Sequence, residues 1–423
     1  MKKTFLLSCL MLAAMPVMAA YTGHVYVDKN KNGVFDQSEK PLAGIKVSDG
    51  LNVVETAADG SFTLPGHERE RFIFITTPSG YKTFNRHYHK IEKKQSGYDF
   101  GLIPYSGRIR KDGSHRYIHI TDTEIFNTEN HADWVNNVHD YARNEQAAFI
   151  IHTGDICYEK GLKAHIKLMN TENMDCPVFY CIGNHDLVKG KYGEELFESI
   201  YGPVYYSFDA GNVHYVVTPM PGGDHAPGYT SDDVCRWLKN DLAHIRPGTP
   251  VVVFNHDLLT YEDTFIFKSK NAGSINLNEY NLKAWVYGHW HINYMKKQGD
   301  VYSVCTSSLD KGGIDHSTTA FRVMHVDSKG DFTSELRYTY LDKNICIASP
   351  AGVMASGVLP VAVNVYSSVS PVREVLYTCL ADGKPVLKNK RLLQSTDWSW
   401  NGELPLSHKY VGKELTLRVT VPF

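Results

Sequence analysis

Five apolar runs between residues 116 and 291 end alike, and that repeated ending constrains the chain more than any other feature. RYIHITD closes on Asp122, AAFIIHTGD on Asp155, CPVFYCIGNHD on Asp186, PVVVFNHD on Asp257 and KAWVYGHWH on His291. Short unbroken runs of Ile, Val, Phe and Tyr read as strands buried on both faces. Helical spacing separates them. HADWVNNVHDYARNE has apolar residues at 134, 135, 138, 141 and 142, and SDDVCRWLKNDLAHI opens on Ser231 as N-cap with acids in its first turn. The alternation predicts an α/β layer domain over 106–345, its polar clusters gathered where parallel strands end. One histidine after a strand is ordinarily a hydrogen-bonding group; five such clusters at one sheet edge predict a site.

The flanks differ. Residues 21–105 carry short runs (VYV, GIKVSD, LNVVET, GSFTLP, RFIFITT) divided by Gly, Pro and Asp-Gly turns, which predicts an all-β sandwich. Residues 346–423 return to alternating apolar runs without a His or Asp cluster, predicting a C-terminal β domain. The expected fold is therefore multi-domain, an α/β centre between two all-β sandwich domains.

Residues 28–39, DKNKNGVFDQSE, have the spacing of a twelve-residue calcium loop. Asp28, Asn30 and Asn32 take positions one, three and five, Gly33 the turn, Val34 position seven, Asp36 position nine and Glu39 position twelve. Hard oxygen donors so arranged suit Ca²⁺, here between strands rather than helices. Over about 21–80 the order GHVYVDKNKNGVFDQSEKPLAGIKV…ETAADGSFTLP resembles the calcium-binding B-type repeats of bacterial surface adhesins, a transthyretin-like sandwich.

Over about 115–295, with all motifs in order, the central region resembles the calcineurin-like metallophosphoesterase superfamily, whose pattern is Asp-x-His, Gly-Asp, Gly-Asn-His-Asp/Glu, a lone His and Gly-His-x-His. The resemblance implies a four-layer α/β sandwich and a dinuclear metal site. Asp122 and His291 would hold the first metal, Asp155 would bridge, and Asn184, His256 and His289 would complete the second. His185 would face the substrate phosphate as a non-ligand, with Asp186 orienting its ring. Two divalent ions need a shared carboxylate to offset their repulsion, and together they activate a water nucleophile.

Position 124 departs from the pattern, since TDTE has a glutamate where the family has histidine. Three readings follow. Glu124 is a ligand that adds charge and hardness, favouring Mn or Fe over Zn, with Mg also suited. Alternatively Tyr158 is the ligand, because GDICY and VFNH fit the Gly-Asp-x-x-Tyr and Val-x-x-His of purple acid phosphatases, whose tyrosinate stabilises Fe³⁺. In the third, the first position is lost. His119 is no substitute, because strand alternation turns it to the opposite face from Asp122. The loops PGGDHAPGY (221–229) and SSLDKGGIDHS (307–317) have the glycines and polar residues of substrate-side loops, but read first as solvated turns.

Bulk properties narrow the function. With 44 Lys+Arg against 46 Asp+Glu, no sequence-wide nucleic-acid surface is expected. The opening MKKTFLLSCLMLAAMPVMAA has the charged start, short apolar stretch and small-residue end of a signal peptide over 1–20, which predicts a periplasmic or secreted protein. No later run reaches membrane-spanning length. Seven cysteines remain beyond it, an odd number that leaves at least one thiol free, and most read as buried small hydrophobes. The expected protein is an exported phosphoesterase acting on phosphomonoesters or phosphodiesters, such as nucleotides, sugar phosphates or envelope glycan phosphates. A non-catalytic, calcium-dependent surface or glycan-binding protein is the alternative from another class.

Overall fold

The computed structural model describes residues 21–422 apart from 316, 341–342, 351, 353–356 and 368–369, so the segment read as a signal peptide lies outside the described residues. Two sheets form the centre. In the first, the strands Val178–Tyr180, Phe149–His152 and His115–Ile120 run parallel, and Ala320–Val326 and Phe332–Tyr338 add antiparallel. In the second, Val213–Val217, Val251–Phe254, Leu282–Tyr287 and Val301–Cys305 run parallel, with antiparallel edge strands Tyr206–Ala210 and Tyr294–Gln298.

Alternation along the first sheet explains its apolar runs. Tyr117, Phe149 and Met324 face the second sheet in one cluster with Tyr215 and Phe254. Ile118, Ile150 and Val323 point the other way, onto Trp134, Val138 and Ala142 of helix α1 (Ala132–Asn144) and Ala164 of helix α2 (Tyr158–Leu168). Both faces are dry, so nearly every position is apolar. Helix α3 (Glu195–Tyr201) joins a smaller cluster through Phe197 and Tyr201. Helix α4 (Ser231–Ala243) packs Trp237, Leu238 and Leu242 into the second sheet's cluster. Its cap is Thr230 rather than the expected Ser231, because Thr230 and Asp233 satisfy each other's backbone N–H groups in a capping box.

The N-terminal region holds two sheets. The expected runs appear, joined by Phe100–Pro104 and by Tyr81–Thr83 and Tyr88–Lys90, the last two too short and polar to register as apolar runs. The C-terminal sheets enclose Val361, Val363, Tyr377 and Trp400. The strand Lys343–Ser349 spans the expected boundary at 345/346 and pairs with Gly357–Ser367 of the C-terminal part. The C-terminal part is fastened to the centre by a buried Arg322–Asp397 pair and by Trp398, whose Nε1 donates to the Asn293 carbonyl at 2.7 Å. All seven cysteines are free. No helix among the described residues is long and apolar enough to cross a membrane.

Candidate metal centre

The strands that carry the clusters run parallel within each sheet, so their C-terminal ends deliver the polar residues to one edge. The backbone there is strained. Seven of the fourteen non-glycine residues with positive φ among the described residues are Asp122, Glu124, Asp155, Cys157, Tyr158, His289 and His291. Such concentration of costly conformations marks a site whose side chains are held for a purpose other than stability.

Asp155 is the hinge of the arrangement. Its carboxylate belongs to one group of mutually close donor atoms with His256 and His289, and to another with Glu124 and Cys157. Its Oδ1 accepts from the His185 backbone N–H at 3.0 Å, and Oδ2 lies 3.1 Å from His256 Nε2. Asp122 is wholly buried. Thr121 Oγ1 and the His289 N–H donate to its Oδ2 at 2.6 and 3.1 Å, while Oδ1 lies 3.2 Å from His291 Nε2. His291 Nε2 is in turn 3.6 Å from Glu124 Oε1. The two histidines of GHWH therefore diverge, His289 toward Asp155 and His256, His291 toward Asp122 and Glu124. Gly288 is required at that turn, because a Cβ there would lie 1.9 Å from Thr121 Oγ1 and 2.5 Å from Asp122 Oδ2.

The donor set fits cations. Asp122 Oδ1, Asn184 Oδ1 and His256 Nε2 are buried without a hydrogen-bond partner, a state that ordinarily destabilises each group. His256 Nδ1 lies 2.7 Å from the Thr153 carbonyl, to which it donates, so Nε2 is the nitrogen directed at Asp155. Burial would lower the His256 pKa, but the Asp155 and Asp122 carboxylates carry it up to about 10. The buried Asp122 and Asp155 carboxylates create this preference for positive charge, and a divalent cation would satisfy it.

Several expected roles change. Asp186, expected to orient His185, instead accepts from the backbone N–H groups of Asp155, Cys157 and Gly183 at 2.8–2.9 Å, tying two of the polar loops together. Burial and the nearby Asp155 raise its pKa to about 7 despite those donors. The partner of His185 is Asp224, whose Oδ2 lies 2.8 Å from Nδ1. Burial opposes protonation of His185, but that contact and Asp155 raise its pKa overall. Asp224 lies in the 221–229 loop, read as a solvated turn. The loop folds back because Gly223 packs on the Asn184 backbone, where a Cβ would sit 2.4 Å from the carbonyl oxygen. Its far end is clamped from the N-terminal region. Arg69 donates to the Gly228 carbonyl at 2.6 Å, and Arg71 pairs with buried Glu194, which accepts from the Gly228 N–H at 2.8 Å.

Tyr158 is 43% exposed, with its ring stacked on Phe126 and 5.3 Å from the His185 ring. His119 lies between Thr153 and Thr306, 2.8 Å from each hydroxyl, in the buried interior. Cys157, expected only to pack, brings its thiol into the Glu124–Asp155 group, where burial and those carboxylates push its pKa up. In the 28–39 loop, both oxygens of Asp28 accept from Asn32 and Gly33 N–H groups, and both of Glu39 from Lys29 and Asp36 N–H groups. Asp36 accepts from the Asn30 and Asn32 amides, and Asn32 Oδ1 accepts from Val34 N–H.

Comparison with known proteins agrees with this edge. Residues 115–293 match the family model for calcineurin-like phosphoesterase, and residues 29–104 match the model for the N-terminal domain of calcineurin-like phosphoesterase. The adhesin-type resemblance thus falls in a region matched by a phosphoesterase family's own N-terminal domain. Purple acid phosphatase 13 of Arabidopsis thaliana is 26% identical over 215 residues, which are 48% of this chain and 36% of that protein; the chain spans about a third of this relative's length. Among solved structures, an archaeal phosphodiesterase (13% identity, 52% of this chain and 99% of that one) has a TM-score of 0.27. Vacuolar protein sorting 29 of Cryptosporidium parvum (10% identity, 69% and 98%) has 0.28. On the family matches, the chain carries a calcineurin-like phosphoesterase domain over residues 115–293, preceded by the N-terminal domain that accompanies it.

Proposed function

We propose that this chain is an exported, dinuclear-metal phosphoesterase that hydrolyses phosphomonoesters or phosphodiesters, with nucleotides, sugar phosphates and envelope glycan phosphates as the substrate classes. The observation that carries the reading is Asp155, shared between two donor groups while Asp122 Oδ1, Asn184 Oδ1 and His256 Nε2 lie buried without a hydrogen bond, Asp122 Oδ1 facing His291 and His256 Nε2 facing Asp155. Asp122, Glu124, Asp155 and His291 would hold one metal, and Asp155, Asn184, His256 and His289 the other. Two such ions, Mn or Fe favoured by the carboxylates over Zn or Mg, supply Lewis acidity at the phosphoryl group and lower the pKa of water.

The chain's own groups do the rest. His185, with Nδ1 engaged by Asp224, keeps Nε2 for the substrate and donates a proton to the leaving oxygen. Asp186 keeps the two loops that carry Asp155 and His185 in register. Export rests on the opening twenty residues, and calcium in the 28–39 loop rests on the spacing of its oxygen donors.

A second reading has Tyr158 as a metal ligand; it draws on the purple acid phosphatase relative. An iron-loaded sample showing visible tyrosinate-to-iron absorption that Tyr158→Phe abolishes would favour it. The function itself is tested with mono- and bis-4-nitrophenyl phosphate. Turnover is expected with Mn²⁺, lost on chelation, and reduced at least about a hundredfold in His185→Ala. No turnover of either ester by the folded chain with Mn²⁺, Fe or Zn²⁺ would refute the reading.

A further inference from the structure

The 307–317 loop is no solvated turn. Ser307 and Ser308 are fully buried, Ser308 Oγ accepts from the Lys311 N–H at 3.1 Å, and Thr339 Oγ1 donates to the Leu309 carbonyl at 2.7 Å. The Ile314 N–H donates to the His291 carbonyl at 2.9 Å, which fastens the loop to the GHWH turn. This frame delivers Lys311 to Glu124. The ammonium hydrogen-bonds Oε2 of Glu124 and, at 3.1 Å, the carbonyl of the same residue. The other carboxylate oxygen, Oε1, is the one 3.6 Å from His291 Nε2. The two oxygens of Glu124 are thus divided, one toward the donors and one toward a cation of the chain. Among the described residues Lys311 pairs with no other carboxylate.

A lysine beside a metal position is repulsive to the metal unless something offsets it. A glutamate in place of a neutral imidazole errs in the opposite direction, and at a few ångströms either charge matters even with strong screening. We propose that Glu124 and Lys311 together stand in for one neutral donor. Glu124 binds the cation through Oε1, while Lys311 holds Oε2 and cancels the added charge. Lys311 is a positioning and charge-balancing residue, and its role rests on the metal reading above.

The charge arithmetic fixes an order of affinity. Counting positions 124 and 311 alone, the wild type is neutral, Lys311→Met is negative by one, Glu124→His is positive by one, and the double variant is neutral again. Mn²⁺ is titrated calorimetrically into each full chain, previously stripped by a chelator, at about pH 8, where an ordinary imidazole is neutral. Lys311→Met is expected to bind most tightly and Glu124→His most weakly, each roughly tenfold from the wild type, with the double variant within about threefold of it. Lys311→Arg keeps the charge and is expected to match the wild type; compared with Lys311→Met it decides the question if Glu124→His fails to fold by circular dichroism. Lys311→Met binding Mn²⁺ no more tightly than the wild type, or a folded double variant that does not return to wild-type affinity, would overturn the proposal. A wild-type chain that takes up no Mn²⁺ would overturn the metal reading beneath it, a separate result.

Discussion

Asp224 accepts a hydrogen bond from a histidine it could not be paired with by inspection, thirty-nine residues away on a different loop. The contact fixes which nitrogen of His185 remains for the substrate and favours its protonated form. A proton donor matters most when the leaving oxygen is a poor leaving group. Asp224→Asn is therefore expected to slow hydrolysis of an alkyl phosphate by about ten- to a hundredfold, and of 4-nitrophenyl phosphate far less. A leaving-group series under saturating substrate measures this. Equal losses across the series would mean that Asp224 only packs its loop. The residues proposed to hold the metals were legible because each follows an apolar run at fixed spacing. Asp224, Lys311 and Cys157 were not, because their partners are set by how two loops and a helix start fold over the sheet edge.

Helix α2 brings a different kind of group to the interior. His165 is fully buried among Trp134, His152 and Tyr180, and neither ring nitrogen has a hydrogen-bond partner. Burial, with a smaller contribution from His131, lowers its pKa to about 3. In the unfolded chain the value returns to about 6.5. Above that pH the ring is neutral in both states and stability does not respond. As pH falls from 6.5 toward 3 the unfolded chain takes up a proton that the folded chain refuses, so stability is lost at about 1.4 kcal/mol per pH unit. His165→Leu removes that contribution. Urea unfolding at about pH 6.5 and 5 should show the variant losing roughly 1.5 kcal/mol less than the wild type across the interval, the unfolded ring being already half protonated at the upper pH; an identical loss would refute the assignment. Helix α2 was not read from the sequence. The period of α1 and α4 is plain in the sequence, whereas the α4 cap moved one residue because Thr230 and Asp233 can reciprocate.

Across the whole molecule, the N-terminal region is bound to the phosphoesterase domain through Arg69 and Arg71, which grip the loop that carries Asp224. The 28–39 loop is on the same region, with Asp28 and Glu39 both buried. If Ca²⁺ occupies it, binding to the folded state alone raises stability by mass action. The thermal midpoint of the metal-loaded chain is expected to rise by several degrees when millimolar Ca²⁺ replaces a calcium-selective chelator, and Asp28→Ala should abolish the rise. No shift in the wild type would remove calcium from the description.

The sequence by itself determined the strand–helix order, the residue types at each strand end and the β character of both flanks, because these depend on local period and on which side chains tolerate burial. Only the tertiary structure decided that Asp186 ties loops while Asp224 serves His185, that Lys343–Ser349 pairs into the C-terminal sheets, and that Glu124 meets Lys311. Each of these is a contact or pairing whose partner lies outside the motif that contains the residue. Spacing within a motif carries no information about what folds over it, and charge balance at a site is set by everything within a few ångströms rather than by neighbours in the chain.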